Sequence, residues 1–260
     1  MFIAKTLKIK NINPLNNGKN VIFELENLLC GQVNMYIDYA NIKPWSNYLK
    51  WHIDIKRLKQ FLDSFDNINS IKIYAGTLIG DNNSERLIKE MNDCHYDLRT
   101  KFVKIMRFSI DASSITEWSR SLLSQFIKSS LMRMYDDNTV RYLNYKFREL
   151  NQKGIYFLED RKCNFDVELG RDMLVDYDKN DIETFVLWSG DSDFAEPIKH
   201  LLKIGKKVII FATSGKVSRE LNNLCKQGLL IFDIKKIRNF ICWNNEIIKA
   251  KGTSVEAPKL

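Results

Sequence analysis

The sequence predicts an α/β fold in which helices flank a parallel, Rossmann-like sheet and a helical insertion interrupts the alternation. Short apolar runs alternate along the chain with segments whose apolar residues recur at helical spacing. The runs are apolar throughout, which is typical of strands buried on both faces of a parallel sheet. The chain has 260 residues, 45% of them hydrophobic, which is enough to bury one sizeable core.

The individual elements follow from these patterns. The predicted strands cover residues 33–40, 71–79, 154–160, 185–191, 207–213 and 229–234. The predicted helices cover residues 54–65, 84–93, 164–178, 194–204 and 216–226. In the first of these helices Leu58, Phe61 and Phe65 fall on one face. Ser84 is a residue type that caps the start of the second.

Three regions make up the expected domain organisation. Residues 31–240 are predicted to form the main domain, with a basic helical insertion at about residues 100–153. Residues 1–30 are expected to form a ribbon packed on this domain. Residues 241–260 are expected to be a C-terminal segment with a disordered end, because the last residues are polar.

The insertion is rich in Arg, Lys, Tyr and Phe. It begins with residues 102–110, an extra strand or an edge ribbon, and continues as helices over 114–154 with an interruption near 136–138. Basic residues interleaved with aromatic ones suit a single-stranded nucleic acid, through phosphate contacts and base stacking. A helical pair with its Leu and Phe packed inward and its Lys and Arg solvated explains the same pattern, and the sequence leaves both interpretations open.

Charge and composition restrict the class of partner. The formal net charge is +8, and the pI is near 9.1. This excess favours a polyanionic partner, nucleic acid before membrane, although a Lys-rich proteome gives the same pI. The sequence shows no secretory signal and no run near the roughly 20 apolar residues of a bilayer-spanning helix, so we expect a cytoplasmic protein without a membrane partner. A homodimer is left open.

The residue types exclude some kinds of site. The five cysteines lie far apart without a CxxC pair, and only three histidines accompany them. This pattern indicates neither a zinc site nor a disulfide framework.

Acidic residues follow the predicted strands at one edge of the sheet. Asp38 ends the first strand, and Asp191 and Asp193 follow the strand at 185–191. Asp166 lies in the first turn of the helix at 164–178, whose start opens on the same side. Ligands of open parallel sheets bind outside the carboxyl ends of the strands. We therefore expect these four carboxylates to converge, although each one alone also suits a helix cap or turn.

Four neighbouring carboxylates repel one another unless some are protonated or a cation neutralises them. Oxygen ligands without His or Cys favour a hard ion, Mg²⁺ or Mn²⁺. Such an ion lowers the pKa of a bound water and offsets charge on a phosphate, which suits phosphodiester hydrolysis.

Four stretches of the chain resemble the NYN-domain family, the PIN-like metal-dependent ribonucleases, in its LabA-like subset. These stretches are MYIDYANI (35–42), RKCNFDVELGRDMLVD (161–176), LWSGDSDFAEPIKHLLKIGKKVIIF (187–211) and SRELNNLCKQGLLIFDI (218–234). Their order, spacing and strand context agree with the family, whereas the long basic insertion departs from a minimal member. The resemblance implies a PIN-like fold and a Mg²⁺- or Mn²⁺-dependent nuclease.

The resemblance also implies roles for single residues. Asp38, Asp166, Asp191 and Asp193 match the metal-binding acids, and Asn41 matches a small polar position that orients Asp38 or a bound water. Three further residues match positions near the substrate: Lys162, Ser189 and Ser192. The serines are expected to hold carboxylates in place. Lys162 either neutralises a phosphate, pairs with an acid, or is an exposed loop lysine.

The resulting hypothesis is a metal-dependent endoribonuclease that cleaves single-stranded RNA and leaves 5′-phosphate and 3′-hydroxyl ends. The alternative is a non-catalytic, nucleic-acid-binding regulatory protein on the same fold. A phosphatase of the haloacid dehalogenase type also uses aspartates at strand ends. It needs a second acid two residues after the nucleophilic Asp, but Ala40 follows Asp38 at that spacing.

Overall fold

A computed structural model describes residues 1–12, 16–179, 181–213 and 215–242. Contacts between residues divide the chain into two compact units. The core unit comprises Met1–Phe102 and Asn164–Leu260, and the inserted unit comprises Val103–Cys163. The expected disordered end of the C-terminal segment falls within residues 243–260, which lie outside the described residues.

The core unit contains a six-stranded parallel sheet with the strand order β3-β2-β1-β6-β7-β8. Its strands are β1 (Val33–Asp38), β2 (Ile68–Thr77), β3 (Asp97–Phe102), β6 (Thr184–Trp188), β7 (Lys207–Ala212) and β8 (Leu230–Asp233). The inserted unit contributes β4 (Lys104–Ser109) and β5 (Phe157–Lys162). The predicted fold class, a parallel sheet flanked by helices, is confirmed.

Helices connect the strands, as the alternating pattern predicts. In chain order they are α1 (Leu7–Ile12), α2 (Asn16–Leu28), α3 (Tyr39–Ile42), α4 (Trp45–Leu49), α5 (Ile55–Leu62), α6 (Asn82–Asp93), α7 (Ser129–Met132), α8 (Asp137–Gln152), α9 (Asp166–Lys179), α10 (Ala195–Lys203), α11 (Arg219–Leu224) and α12 (Arg238–Ile241). Among the described residues, no helix is long and apolar enough to cross a membrane.

The first 30 residues differ from their prediction, because they form α1 and α2 instead of a ribbon. Ile22, Leu25 and Leu29 are buried. Their spacing of three and four residues places them on one face of a helix, whereas a strand would have put Ile22 on the face opposite Leu25 and Leu29. The strand-forming residues of this segment hid that helical spacing, and the prediction of a ribbon was wrong.

The segment predicted as a buried strand at 154–160 also differs. β5 pairs in antiparallel register with β4 and is a strand of the inserted unit, not of the parallel sheet. Four of its six residues are charged, and a strand buried on both faces has no room for so many charges. β3 completes the parallel sheet instead, and its charged residues are tolerated because it is an edge strand with β2 as its one neighbour. The edge ribbon anticipated at 102–110 corresponds to β4.

A buried polar network joins α9 to the middle of the sheet. The carboxylate of Asp176 accepts hydrogen bonds from Asn34 (2.8 Å), from the hydroxyl of Tyr36 (2.5 Å) and from the ammonium group of Lys72 (2.7 Å). Lys72 and Asp176 are both buried. A buried ion pair of this kind is satisfied only in one arrangement, so the network fixes α9 against β1 and β2.

Candidate metal centre

The candidate site lies at the carboxyl end of the parallel sheet. β1 and β6 are parallel neighbours, with Ile37 paired to Trp188 at their carboxyl ends. Asp38 is the last residue of β1, and Asp191 follows β6 after a two-residue link. The fold therefore brings these acids to the same edge from positions about 150 residues apart in the chain, as parallel topology requires.

Three carboxylates form a cluster at this edge. Asp166, Asp191 and Asp193 each place an oxygen atom within 4.8 Å of the others. Asp166 is the first residue of α9, and Asp191 caps the 3₁₀ turn Ser192–Phe194 by accepting a hydrogen bond from the backbone N–H of Asp193 (3.3 Å). Asp166 and Asp191 are half-buried, whereas Asp193 is exposed. The structure thus brings together three of the four acids that the sequence analysis expected to converge.

Asp38 lies beside this cluster but outside the three-residue group. Its carboxylate is buried and accepts hydrogen bonds from the backbone N–H of Asn41 (3.2 Å) and from the hydroxyl of Ser189 (3.3 Å). The same hydroxyl of Ser189 accepts a hydrogen bond from the backbone N–H of Asp191 (3.3 Å). Ser189 thus connects Asp38 with Asp191. We call residues 191–194, the 3₁₀ turn together with its cap Asp191, the acidic turn.

Two of the acids hold protons more tightly than free aspartate does. Burial raises the pKa of Asp38 to about 6, with a further increase from the charge of Asp191, and the hydrogen bonds from Asn41 and Ser189 offset part of the rise. Burial also raises the pKa of Asp166 to about 6, and the neighbouring Asp193 and Asp191 add to the effect. The repulsion expected between converging carboxylates is therefore present in the structure.

The donor set fits a hard divalent cation. All three members of the cluster offer carboxylate oxygen, and neither His nor Cys belongs to it. A cation at this position would offset the negative charge of Asp191 and Asp193, which contributes to the raised pKa of Asp166. Neighbouring carboxylates are stable in a protein when a cation neutralises them in this way. The residues present therefore fit Mg²⁺ or Mn²⁺ by their chemistry.

The other predicted site residues have different positions. Asn41 contacts Asp38 through its backbone N–H rather than its side chain, and this hydrogen bond makes Asp38 the N-cap of α3. The hydroxyl of Ser192 donates to Asp191 at 3.5 Å, a longer contact than those made by Ser189. Lys162 lies on β5 in the inserted unit, where it pairs with Asp160 (3.4 Å). Its expected role at the substrate stays a prediction.

The sequence analysis did not predict the contacts of two acids of α9, Asp172 and Asp176, which accept hydrogen bonds from side chains of the sheet. Asp172 is buried, accepts a hydrogen bond from Tyr74 (2.9 Å) and forms an ion pair with Arg171 (2.8 Å). These bonds outweigh the effect of burial and lower the pKa of Asp172 below its usual range. Asp176 was not singled out at all. The available signal was Lys72, a basic residue inside an apolar strand, since such a residue needs a buried acid.

The loop after β7 packs directly against the acidic turn. A Cβ atom on Gly190 would lie 1.6 Å from the backbone oxygen of Lys216, so no other residue fits there without moving this loop. The backbone N–H of Ser218 donates to the oxygen of Gly190 (2.9 Å). Gly190 is the residue before Asp191, so these contacts hold the loop that carries Lys216 against the start of the acidic turn.

One comparison, with a model of a protein family, agrees with the motifs found in the sequence. The model of the NYN domain matches residues 109–232, a range that contains Asp166, Asp191 and Asp193 and begins after Asp38. No curated protein matches the chain. The fold is similar to the crystal structure of a protein of unknown function from Vibrio parahaemolyticus, with 13% identity and a TM-score of 0.48 over 82% of this chain and 96% of that one. The resemblance indicated by the motifs is confirmed, because residues 109–232 of this chain, just under half of its length, match the NYN domain of the PIN-like nucleases.

Proposed function

We propose that this protein is a metal-dependent endoribonuclease that cleaves phosphodiester bonds of single-stranded RNA. The observation that carries the proposal is the cluster of Asp166, Asp191 and Asp193, whose carboxylate oxygens lie within 4.8 Å of one another at the edge of the sheet where ligands bind. Three unneutralised acids held this closely are costly for a protein that only folds, and they are useful to one that binds a cation.

Each acid has a defined part in the proposed site. Asp166, Asp191 and Asp193 would hold Mg²⁺ or Mn²⁺. When bound, such an ion supplies an activated water and offsets negative charge on the phosphate. Asp38 is the fourth acid, and the bonds from Asn41 and Ser189 keep its carboxylate in one orientation beside the cluster. Because Asp193 is exposed, the cluster is open to a single strand of RNA.

The family supports nuclease chemistry, while the basic composition supports a polyanionic substrate. The NYN domain belongs to the PIN-like nucleases, and the residues that match the family model include the whole three-acid cluster. The net charge of +8 favours a polyanionic substrate such as nucleic acid over a neutral one.

A second candidate function is RNA binding without cleavage, and the inserted unit favours it. Trp118, Tyr142 and Tyr145 are between 50% and 60% exposed on this unit. The guanidinium of Arg141 lies 5.3 Å from the ring centroid of Trp118, beside a groove of about 350 Å³ that Tyr142, Tyr145 and Arg148 help to line. Exposed aromatic rings beside guanidinium groups suit stacked bases and phosphates. Such a surface serves a nuclease equally well, so it does not displace the first proposal.

The deciding experiment compares wild type with Asp191→Asn on labelled single-stranded RNA in Mg²⁺, Mn²⁺ or EDTA. We expect cleavage by wild type in either metal, with 5′-phosphate and 3′-hydroxyl ends, and at least a hundredfold loss in the variant. Asp178→Asn is the matched control, because it makes the same charge change at an exposed position on α9. RNA binding that is insensitive to chelator, without cleavage by wild type in any metal, would overturn the nuclease proposal and favour the binding protein.

A further inference from the structure

Two lysines contact one tyrosine ring at the rim that carries the acids. The ammonium group of Lys216 lies 5.4 Å from the ring centroid of Tyr48, and that of Lys235 lies 5.0 Å from the same centroid. The two cations are therefore at most about 10 Å apart. Tyr48 is 47% exposed, and both lysines are exposed, so the cluster is open to solvent. We call these three residues the lysine–tyrosine cluster.

The three residues reach this position from separate connections. Lys216 lies in the loop after β7, and Lys235 lies in the turn after β8. Tyr48 belongs to α4, in the connection that follows β1. All three strands are parallel, so all three connections leave the same edge of the sheet. The cluster is a product of the tertiary fold, and no stretch of sequence announces it.

The cluster is a direct neighbour of the acidic turn. The backbone oxygen of Lys216 packs against Gly190, the residue before Asp191. Along the rim, the acids follow β1 and β6, and the lysines follow β7 and β8, which are the next strands in the sheet. Neighbouring strands are about 4.8 Å apart, so the strands that precede the acids and the lysines are separated by about one to three strand widths. A polymer with repeated anionic groups could touch both.

Neither lysine is neutralised by an acid within the part of the chain that the structure describes. Among the described residues, no acid forms an ion pair with the ammonium of Lys216 or Lys235, whereas the adjacent Lys236 pairs with Glu24 at 2.7 Å. Asp233 accepts a hydrogen bond from the backbone N–H of Lys235 and so caps the turn instead of neutralising the side chain. Two like charges on one ring gain little from the ring at an exposed site. An anion placed between them would relieve their repulsion and satisfy both.

We propose that Lys216 and Lys235 bind the phosphate backbone of the single-stranded RNA next to the bond that is cleaved. Tyr48 positions the two ammonium groups by contact with its ring. The proposal rests on the proposed function, since it assigns the subsite that holds the substrate strand against the carboxylate cluster. Lysines suit this task because an ammonium binds phosphate as a point charge and does not read the base, so the subsite contributes affinity without sequence preference.

The test measures binding and cleavage separately. Binding of a fluorescein-labelled single-stranded RNA is measured in EDTA with the full chain carrying Asp191→Asn, so that no cleavage interferes. Lys216→Ala with Lys235→Ala should weaken binding about tenfold and make the dependence of log affinity on log salt shallower by about 1.4, or about 0.7 for each phosphate contact. Lys216→Arg with Lys235→Arg should restore most of the affinity, because it keeps both charges.

The matched control removes two lysines from the opposite edge of the sheet. Lys203 and Lys226 are exposed and precede β7 and β8, so Lys203→Ala with Lys226→Ala makes the same change in net charge away from the acids. The affinity of this control for RNA should stay within about twofold of that of the parent, and the dependence of log affinity on log salt should be unchanged. Equal losses in both double variants would show a general effect of charge and overturn the assignment of a subsite.

The remaining outcomes separate this inference from the nuclease proposal. In the chain with Asp191 intact, the Lys216→Ala, Lys235→Ala variant should raise KM for RNA cleavage more than it lowers kcat. Cleavage by wild type together with unchanged binding and KM in this variant would overturn the inference alone. Absent cleavage by wild type together with a specific loss of binding in the variant would overturn the nuclease proposal and leave the phosphate site in place. A thermal melt of each variant checks that it is folded.

Discussion

The hydroxyl of Ser189 donates a hydrogen bond to the carboxylate of Asp38 (3.3 Å), and this contact joins the ends of two neighbouring strands. Because Ser189 also accepts the backbone N–H of Asp191 (3.3 Å), it positions both acids at once. Ser189 is fully buried, so water cannot replace its hydroxyl. The geometry of the candidate site thus depends on a residue outside the three-acid cluster.

Replacing Ser189 by Ala should therefore reduce metal-dependent cleavage by roughly ten- to a hundredfold, the usual effect of removing a residue that orients metal ligands. Mn²⁺ affinity, measured by calorimetry, should fall together with activity. Ser192→Ala is the control, because its contact to Asp191 is longer at 3.5 Å and its effect should stay below about threefold. Equal effects of the two variants would contradict the role given to Ser189.

The stability of the metal-free protein should depend on pH through Asp38. Its pKa is about 6 in the folded protein and 3.8 when unperturbed. Because the folded-state pKa is the higher one, Asp38 stabilises the fold below about pH 4, and this contribution is lost as pH rises through about 6. The loss is about 3 kcal/mol at most, at 1.36 kcal/mol for each pKa unit.

Urea denaturation in EDTA at several pH values measures this effect against Asp38→Asn, which cannot ionise. We expect the unfolding free energy of wild type to fall relative to the variant between about pH 4 and about pH 7. Added Mn²⁺ should stabilise wild type more at the upper end of this range, since the ligands must lose their protons to bind it. Parallel pH curves for wild type and variant would contradict the raised pKa.

The buried pair of Lys72 and Asp176 should be essential for the position of α9. Asp176→Asn leaves the ammonium of Lys72 buried without a counter-charge, which typically costs about 3–5 kcal/mol. We expect a large loss in the unfolding free energy measured with urea. The double variant Lys72→Met, Asp176→Asn should recover part of that loss, because no charge is left buried. A double variant that is less stable than the single one would contradict a pairwise interaction.

The exposed rings of the inserted unit should contribute to RNA affinity. Tyr142→Ala with Tyr145→Ala should weaken binding of single-stranded RNA, with about 1–3 kcal/mol for each base that loses its stacking partner. Phe23→Ala on α2 is the control, because Phe23 is 66% exposed in the core unit. An unchanged affinity in the tyrosine variant would favour the other interpretation of the insertion, in which its helices only pack on each other. Fluorescence anisotropy in EDTA provides the measurement.

The sequence by itself determined the class of fold and predicted which acids lie at the edge of the sheet. Apolar runs such as 185–191 and 207–213 indicated strands buried on both faces, and they are β6 and β7 of the parallel sheet. Since parallel strands end at one edge, Asp191 and Asp193 could be placed at the same edge as Asp38 from order alone. These conclusions depend on periodicity and chain order, which are local properties of the sequence. The prediction for Asp166 assumed that the strand before it belongs to the parallel sheet, which it does not, so its proximity to Asp191 and Asp193 was decided by the tertiary structure.

Tertiary structure alone decided which elements pair and which remote side chains meet. The segment 154–160 has a strand pattern, but only its partner β4 shows that it leaves the parallel sheet. Residues 16–28 contain strand-forming residues but form a helix, because a helix buries their apolar face against the core. Three connections leave the same edge of the sheet and bring together Tyr48, Lys216 and Lys235. The tertiary structure also leaves Asp38 outside the group of three neighbouring acids. Contacts of this kind depend on packing between distant segments, and no local pattern encodes them.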